Sequence, residues 1–136
     1  MFSKIAESCW TGNCSSIHGT DGIIHHPFIK EKDILSVFEP ELNRTVYLNY
    51  ERNTEYQGIP TKRFVLSEST FAAPKFYPDN GCFCKNKDDG IMVYNGTLRS
   101  GHCNFDVPLV FSNPHFYQAD GYFRDRIKVN KLFFSQ

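Results

Sequence analysis

Five cysteines and five histidines are the residues of this chain best suited to chemistry. The cysteines are Cys9, Cys14, Cys82, Cys84 and Cys103. A structural zinc site would need two arms with Cys-x(2–4)-Cys or His spacing. Cys82-Phe83-Cys84 is too close for such an arm and no second pair answers it, so no metal site is expected. His25 and His26 are adjacent, and neighbouring side chains of an extended segment point to opposite faces. Together with His18 they read as surface residues rather than metal ligands. His102-Cys103 sets a base beside a thiol, but catalytic Cys/His pairs are assembled by the fold rather than by adjacency, so Cys103 reads as a disulfide cysteine. His115 has no identifiable catalytic partner and is expected to be buried and hydrogen-bonded. Asp88-Asp89-Gly90 lacks the spacing and closing Glu of an EF-hand and reads as a solvated loop. There is no nucleophile elbow, Walker loop or Rossmann glycine pattern. The sequence therefore predicts no enzyme, no catalytic residue and no cofactor.

Three N-linked sequons stand beside the cysteines: Asn13-Cys14-Ser15, Asn43-Arg44-Thr45 and Asn95-Gly96-Thr97. Chance would supply about one. Thiols together with sequons are what an extracellular or lumenal domain carries, so Asn13, Asn43 and Asn95 are expected glycosylation sites. A membrane-spanning helix needs about 20 consecutive apolar residues, and stretches such as Pro108-Leu109-Val110-Phe111 fall far short. No signal peptide is visible either, because Lys4 and Glu7 interrupt the place of an apolar core. Outward-facing chemistry without an export signal suggests a piece of a longer protein. Lys plus Arg and Asp plus Glu each number 15, for a net charge of zero. With no basic excess to neutralise phosphates, a nucleic-acid partner is excluded.

The elements that must position these residues are mainly strands. Aromatics make up 15% of the chain, with 13 Phe and 7 Tyr. Such residues favour strands and bury large areas, which favours a β-rich core over an apolar ligand channel. Arg44 to Glu51 alternates, with Val46, Leu48 and Tyr50 on one face, and predicts a strand. A second strand runs from Gly58 to Leu66, with a loop over Asn53 to Gln57 making the pair an antiparallel hairpin. Asp33 is placed to cap a short helix, Ile34 to Phe38, that Pro40 ends. One helical turn is expected within Ser67 to Ala73. Pro78 to Gly90 reads as a loop held by disulfides. Short strands are expected at Ile91 to Tyr94 and Leu109 to Ser112. Pro114 to Asp120 reads as a strand end anchored to the core by its aromatics, with Asp120 capping a following helix.

These residues together resemble the class B scavenger receptors. The resemblance is carried by Trp10, Cys14, Ile17, Gly19-Thr20-Asp21-Gly22 and His26-Pro27-Phe28. It continues through Glu41-Leu42-Asn43-Arg44, Gly58-Ile59-Pro60, Arg63-Phe64-Val65 and Phe71-Ala72. Cys82-Phe83-Cys84, Gly96 to Cys103, Pro108 and Pro114 to Asp120 complete it, over roughly Glu7 to Asp125. The order and spacing of these motifs are more specific than any one of them.

The resemblance implies a mixed, mainly β fold: part of a disulfide-bonded, antiparallel β-barrel-like ectodomain with short helices, in a parent anchored in the membrane at both ends. Residues 1–125 would be a partial ectodomain, without the apical ligand-binding helices, and 126–136 a divergent tail. The location implied is the outer face of the plasma membrane or the lysosomal lumen. The function implied is binding of lipoproteins, fatty acids, cholesterol or other lipids and passage of lipid through an apolar tunnel, where each shielded CH₂ gains about 0.8 kcal/mol. A lysosomal membrane or sorting receptor of the same family is the alternative. No individual lipid-binding residue is assigned.

The departures from the family pattern concern the thiols and sequons. His18 stands where the family usually has Asn, and Asn43 where it usually has Cys. In the fatty acid translocase pattern Cys14 would bridge Cys82. The usual partners of Cys84 and Cys103 are missing, which implies a re-paired Cys84–Cys103 bond, with a bond inside Cys82-Phe83-Cys84 as the rival. Cys9 matches no family position, stands outside the expected disulfides and is the candidate free thiol.

Overall fold

The computed structural model describes residues 9–84, 93–100, 103 and 107–126. Strands β1 (Leu35–Glu39), β2 (Arg44–Tyr56) and β3 (Ile59–Leu66) form an antiparallel sheet in the order β1-β2-β3. β4 (Thr97–Arg99) and β5 (Val110–Ser112) form a separate antiparallel pair. Short 3-10 segments lie at Gly12–Ser15, Glu68–Phe71, Pro78–Phe83 and Pro114–Phe116, and a short α-helix spans Gly121–Arg124. The chain is thus mainly β, but both sheets are open, and no closed barrel is formed among the described residues.

β2 is the central strand because its inner half alternates as expected. Val46 is buried, Leu48 and Tyr50 are half-buried, and Tyr47 and Asn49 are exposed. Thr45 departs from the pattern: it is buried, with its hydroxyl bonded to the backbone of His18. The hairpin is longer and its turn tighter than the sequence suggests. Tyr56 pairs with Ile59, leaving only Gln57 and Gly58 to reverse the chain. Their φ values of 50° and 81° suit the primed turns that match strand twist. The expected loop over Asn53 to Gln57 is mostly strand, and Glu51 to Pro60 is exposed throughout. An arm with no buried face shows no apolar alternation to read.

The helix expected over Ile34 to Phe38 is strand β1. A helix so short cannot repay nucleation, whereas the extended segment bonds on both sides. Leu35 to Glu39 pairs with Leu48 to Arg44 along β2. On the other edge, Thr20 N donates to Ser36 O at 3.1 Å, and Phe38 N donates to Thr20 O at 2.8 Å. This close approach needs Gly19, whose φ is 92° and where any Cβ would collide with the Ser36 carbonyl. Asp33 caps a turn instead of a helix, accepting from Lys30 N at 2.7 Å.

Of the strand expected at Ile91 to Tyr94, Ile91 and Met92 lie outside the described residues, and Val93 and Tyr94 are not strand. The strand begins at Thr97, after a turn through Asn95 and Gly96. The β4–β5 pair is tied to the rest at that turn. Gly96 N donates to Phe71 O, and Asp120 N to Asn95 O. Asp120 caps the last helix, accepting from Tyr122 N at 2.8 Å. The segment from Pro114 is a 3-10 turn rather than a strand end, anchored by buried Ala119. His115 is exposed there, not buried.

The core is a cluster of Cys9, Trp10, Cys14, Leu42, Val46, Phe71, Phe83 and Leu98. Trp10 is its centre, only 2% exposed, packed edge-on against Phe83 with ring centroids 5.1 Å apart. Its indole N–H donates to Asn43 O at 2.7 Å, so the N-terminal segment is fixed to the β1–β2 connection.

Candidate functional site

Two disulfides frame the site. Cys14 is bonded to Cys82, with Cα atoms 5.9 Å apart, and joins the first 3-10 turn to the one at Pro78–Phe83. Cys9 is bonded to Cys103, with Cα atoms 5.1 Å apart. Both separations are ordinary for a disulfide. The Cys84–Cys103 bond expected above is not formed, because Trp10 carries its neighbour Cys9 into the core beside Cys103. The rival bond inside Cys82-Phe83-Cys84 is precluded because Cys82 is taken by Cys14. The Cys84 sulfur lies 3.8 Å from the Asn80 carbonyl.

Beside the Cys14–Cys82 bond opens a cleft of about 520 Å³. Polar and charged residues line much of it, with Asn13, His18, Arg44, Tyr47, Asp79 and Asn80 among those that face it. Arg44, first residue of β2, is only 5% exposed. Its guanidinium donates to Thr70 O at 2.8 Å and to Asn80 Oδ1 at 3.3 Å. It also lies over the Phe83 ring, 3.8 Å from the centroid. Its Nε has no acceptor among the described residues. Burial pushes the Arg44 pKa down to about 10, partly offset by Tyr47, Cys84 and Tyr77, so the group stays charged at neutral pH. Asn80 completes the junction by donating to both Ser69 O and Ala72 O at 2.7 Å. Nothing in the sequence marked Arg44 beyond its place in the Glu41-Leu42-Asn43-Arg44 motif. Its burial follows from the close packing of the two 3-10 turns on β2.

The histidines do not converge. His25 Nδ1 lies 3.5 Å from the Thr20 hydroxyl, and His26 Nδ1 lies 3.0 Å from Pro27 O. Among the described residues no group of three or more His, Cys, Asp or Glu side chains is placed to hold a metal. His102 and Asp88-Asp89-Gly90 lie outside the described residues. The three sequon asparagines have different surroundings: Asn13 is exposed, Asn95 half-buried and Asn43 buried. A separate feature is apolar. Ile23, Ile24 and Phe28 are 83%, 73% and 91% exposed on the segment before β1. No helix among the described residues is long and apolar enough to cross a membrane.

A mainly β arrangement cross-linked by two disulfides fits an oxidising compartment. Comparison with known proteins makes this specific. The profile of the CD36 family matches residues 2–129. Scavenger receptor class B member 1 of Mus musculus is 37% identical over 107 residues, covering 79% of this chain and 20% of that protein. Lysosome membrane protein 2 of Homo sapiens is 33% identical over 137 residues, covering 93% of this chain and 27% of that protein. The chain belongs to the CD36 family, that of the class B scavenger receptors, and spans about a fifth to a quarter of the length of these relatives.

Proposed function

We propose that this chain is part of the lumenal or extracellular shell of a lipid-handling receptor that binds lipoproteins, fatty acids, cholesterol or other lipids and passes lipid to the membrane without bond chemistry. The family match along almost the whole chain carries this reading. The two disulfides support the oxidising location. The open sheets and exposed Ile23, Ile24 and Phe28 support a larger, barrel-like shell in which neighbouring strands cover these edges and side chains. An apolar conduit through that shell lowers the cost of moving an acyl tail by about 0.8 kcal/mol per shielded CH₂. The sorting-receptor alternative is not favoured, since no specific observation supports it over the lipid-handling reading.

The test is uptake of a fluorescent fatty acid and of lipoprotein-borne cholesteryl ester by cells displaying the full-length protein. Saturable uptake of either above that of untransfected cells is expected. Failure with both, from protein shown to be at the cell surface, sinks the proposal.

A further inference from the structure

The three sequons meet different surroundings in the fold: the Asn13 side chain is exposed, that of Asn95 half-buried and that of Asn43 buried. We infer that Asn13 is the asparagine of this chain that carries an N-linked glycan, and that Asn43 and Asn95 are structural residues that folded molecules keep unmodified. The inference rests on the lumenal or extracellular reading above.

Asn13 is exposed in the 3-10 turn Gly12–Ser15. It stands at the cleft beside the Cys14–Cys82 bond. A glycan there extends into solvent and displaces nothing.

Asn43 is the opposite case. It is 5% exposed, between Leu42 and Arg44, which are buried too. Its backbone has a φ of 52°, its N–H donates to Pro40 O, and its carbonyl accepts from Trp10. Thr45, the third residue of the sequon, is 7% exposed, and its hydroxyl is committed to the backbone of His18. A sugar on Asn43 Nδ2 would have to occupy the core beside Trp10.

Asn95 acts as a clamp. Its Oδ1 accepts from Ala73 N at 2.8 Å, and its carbonyl accepts from Asp120 N at 3.0 Å. The next residue, Gly96, is packed so closely on Ala119 that any Cβ would collide with it. Thr97 is 2% exposed.

In the transfer, the asparagine Nδ2 attacks the anomeric carbon of a lipid-pyrophosphate-linked oligosaccharide. The C–N bond forms, the C–O bond to pyrophosphate breaks, the lipid pyrophosphate leaves and the amide loses one proton. Because transfer takes place on the growing chain, burial acts afterwards. A chain modified at Asn43 cannot close the β1–β2 connection and leaves the folded population.

The test uses the full-length protein made in a eukaryotic secretory pathway, with the soluble, correctly folded fraction isolated. Glycans are released by amidase in heavy-oxygen water, which converts each modified Asn to labelled Asp, and peptides are mapped without reduction. Label at Asn13 and at neither Asn43 nor Asn95 is expected. Label at Asn43 or Asn95 in folded material, or none at Asn13, overturns the assignment. Absence of label with the Cys14–Cys82 peptide intact refutes the assignment alone; absence with reduced thiols refutes the lumenal reading as well. As a second arm, Asn13→Gln should abolish the mobility shift that glycan removal causes in this region, whereas Asn43→Gly, compatible with the positive φ, should leave it intact. Loss of the shift in Asn43→Gly overturns the proposal.

Discussion

Arg44 is the residue whose surroundings are least like those of its type. An arginine is seldom buried without an anion, yet this one is held by two carbonyl-type acceptors and an aromatic face, with its Nε left over. Its planar fork reaches Thr70 O and Asn80 Oδ1 together, which the point charge of a lysine cannot do. Arg44→Ala leaves both acceptors buried and a void against Phe83. It is expected to destabilise the fold by about 3 kcal/mol, read as a lower denaturation midpoint of the full-length protein. Arg44→Lys should recover only a small part of the loss; full recovery would mean that charge alone is what matters. None of this was legible in the sequence, because an arginine at the head of an alternating strand reads as solvent-facing. The same holds for Asn43, which a sequon marks as exposed and the fold buries.

At the scale of elements, legibility followed burial. Val46, Leu48 and Tyr50 were readable because one face of β2 is buried while Tyr47 and Asn49 face solvent. The outer arm, Glu51 to Pro60, has no buried face and therefore no pattern, so Asn53, Thr54 and Glu55 read as loop. β1 was misread because Ile34, Leu35 and Phe38 fit a helical spacing over too few residues to separate the two periods. Ile34 is 64% exposed, so one of those three positions never faced the core. The outer arm is held by its ladder, by the Glu51–Arg63 ion pair at 2.8 Å and by its turn. The ion pair is exposed and contributes at most about 1 kcal/mol. The turn is improvable: Gln57 has a positive φ that asparagine adopts more readily. Gln57→Asn is expected to stabilise the hairpin by about 0.5 kcal/mol, measured as slower amide exchange along β2 and β3. Faster exchange would show that the turn is not of the primed type.

For the whole molecule, covalent closure compensates for small sheets. The two disulfides span 68 and 94 residues of chain. Closing loops of that size restricts the unfolded chain by about 4 kcal/mol each on the entropic account. Cys103→Ser should lower stability by a few kcal/mol and leave Cys14–Cys82 intact on non-reducing peptide maps. A bond between Cys9 and another cysteine in that variant would show that Trp10 does not fix the position of Cys9. The Cys9–Cys103 pairing was hidden in the sequence because two cysteines so far apart in sequence share no local signal, and only the docking of Trp10 brings them together.

The connectivity is also nested: the inner ring, Cys14 to Cys82, lies wholly within the outer one, Cys9 to Cys103. A protease that cuts the exposed hairpin arm therefore severs the backbone without releasing either piece. Both halves remain doubly tethered, and the clipped molecule runs as one species until a reductant is added. A receptor built this way can be nicked at its most accessible point and still keep its wall in place.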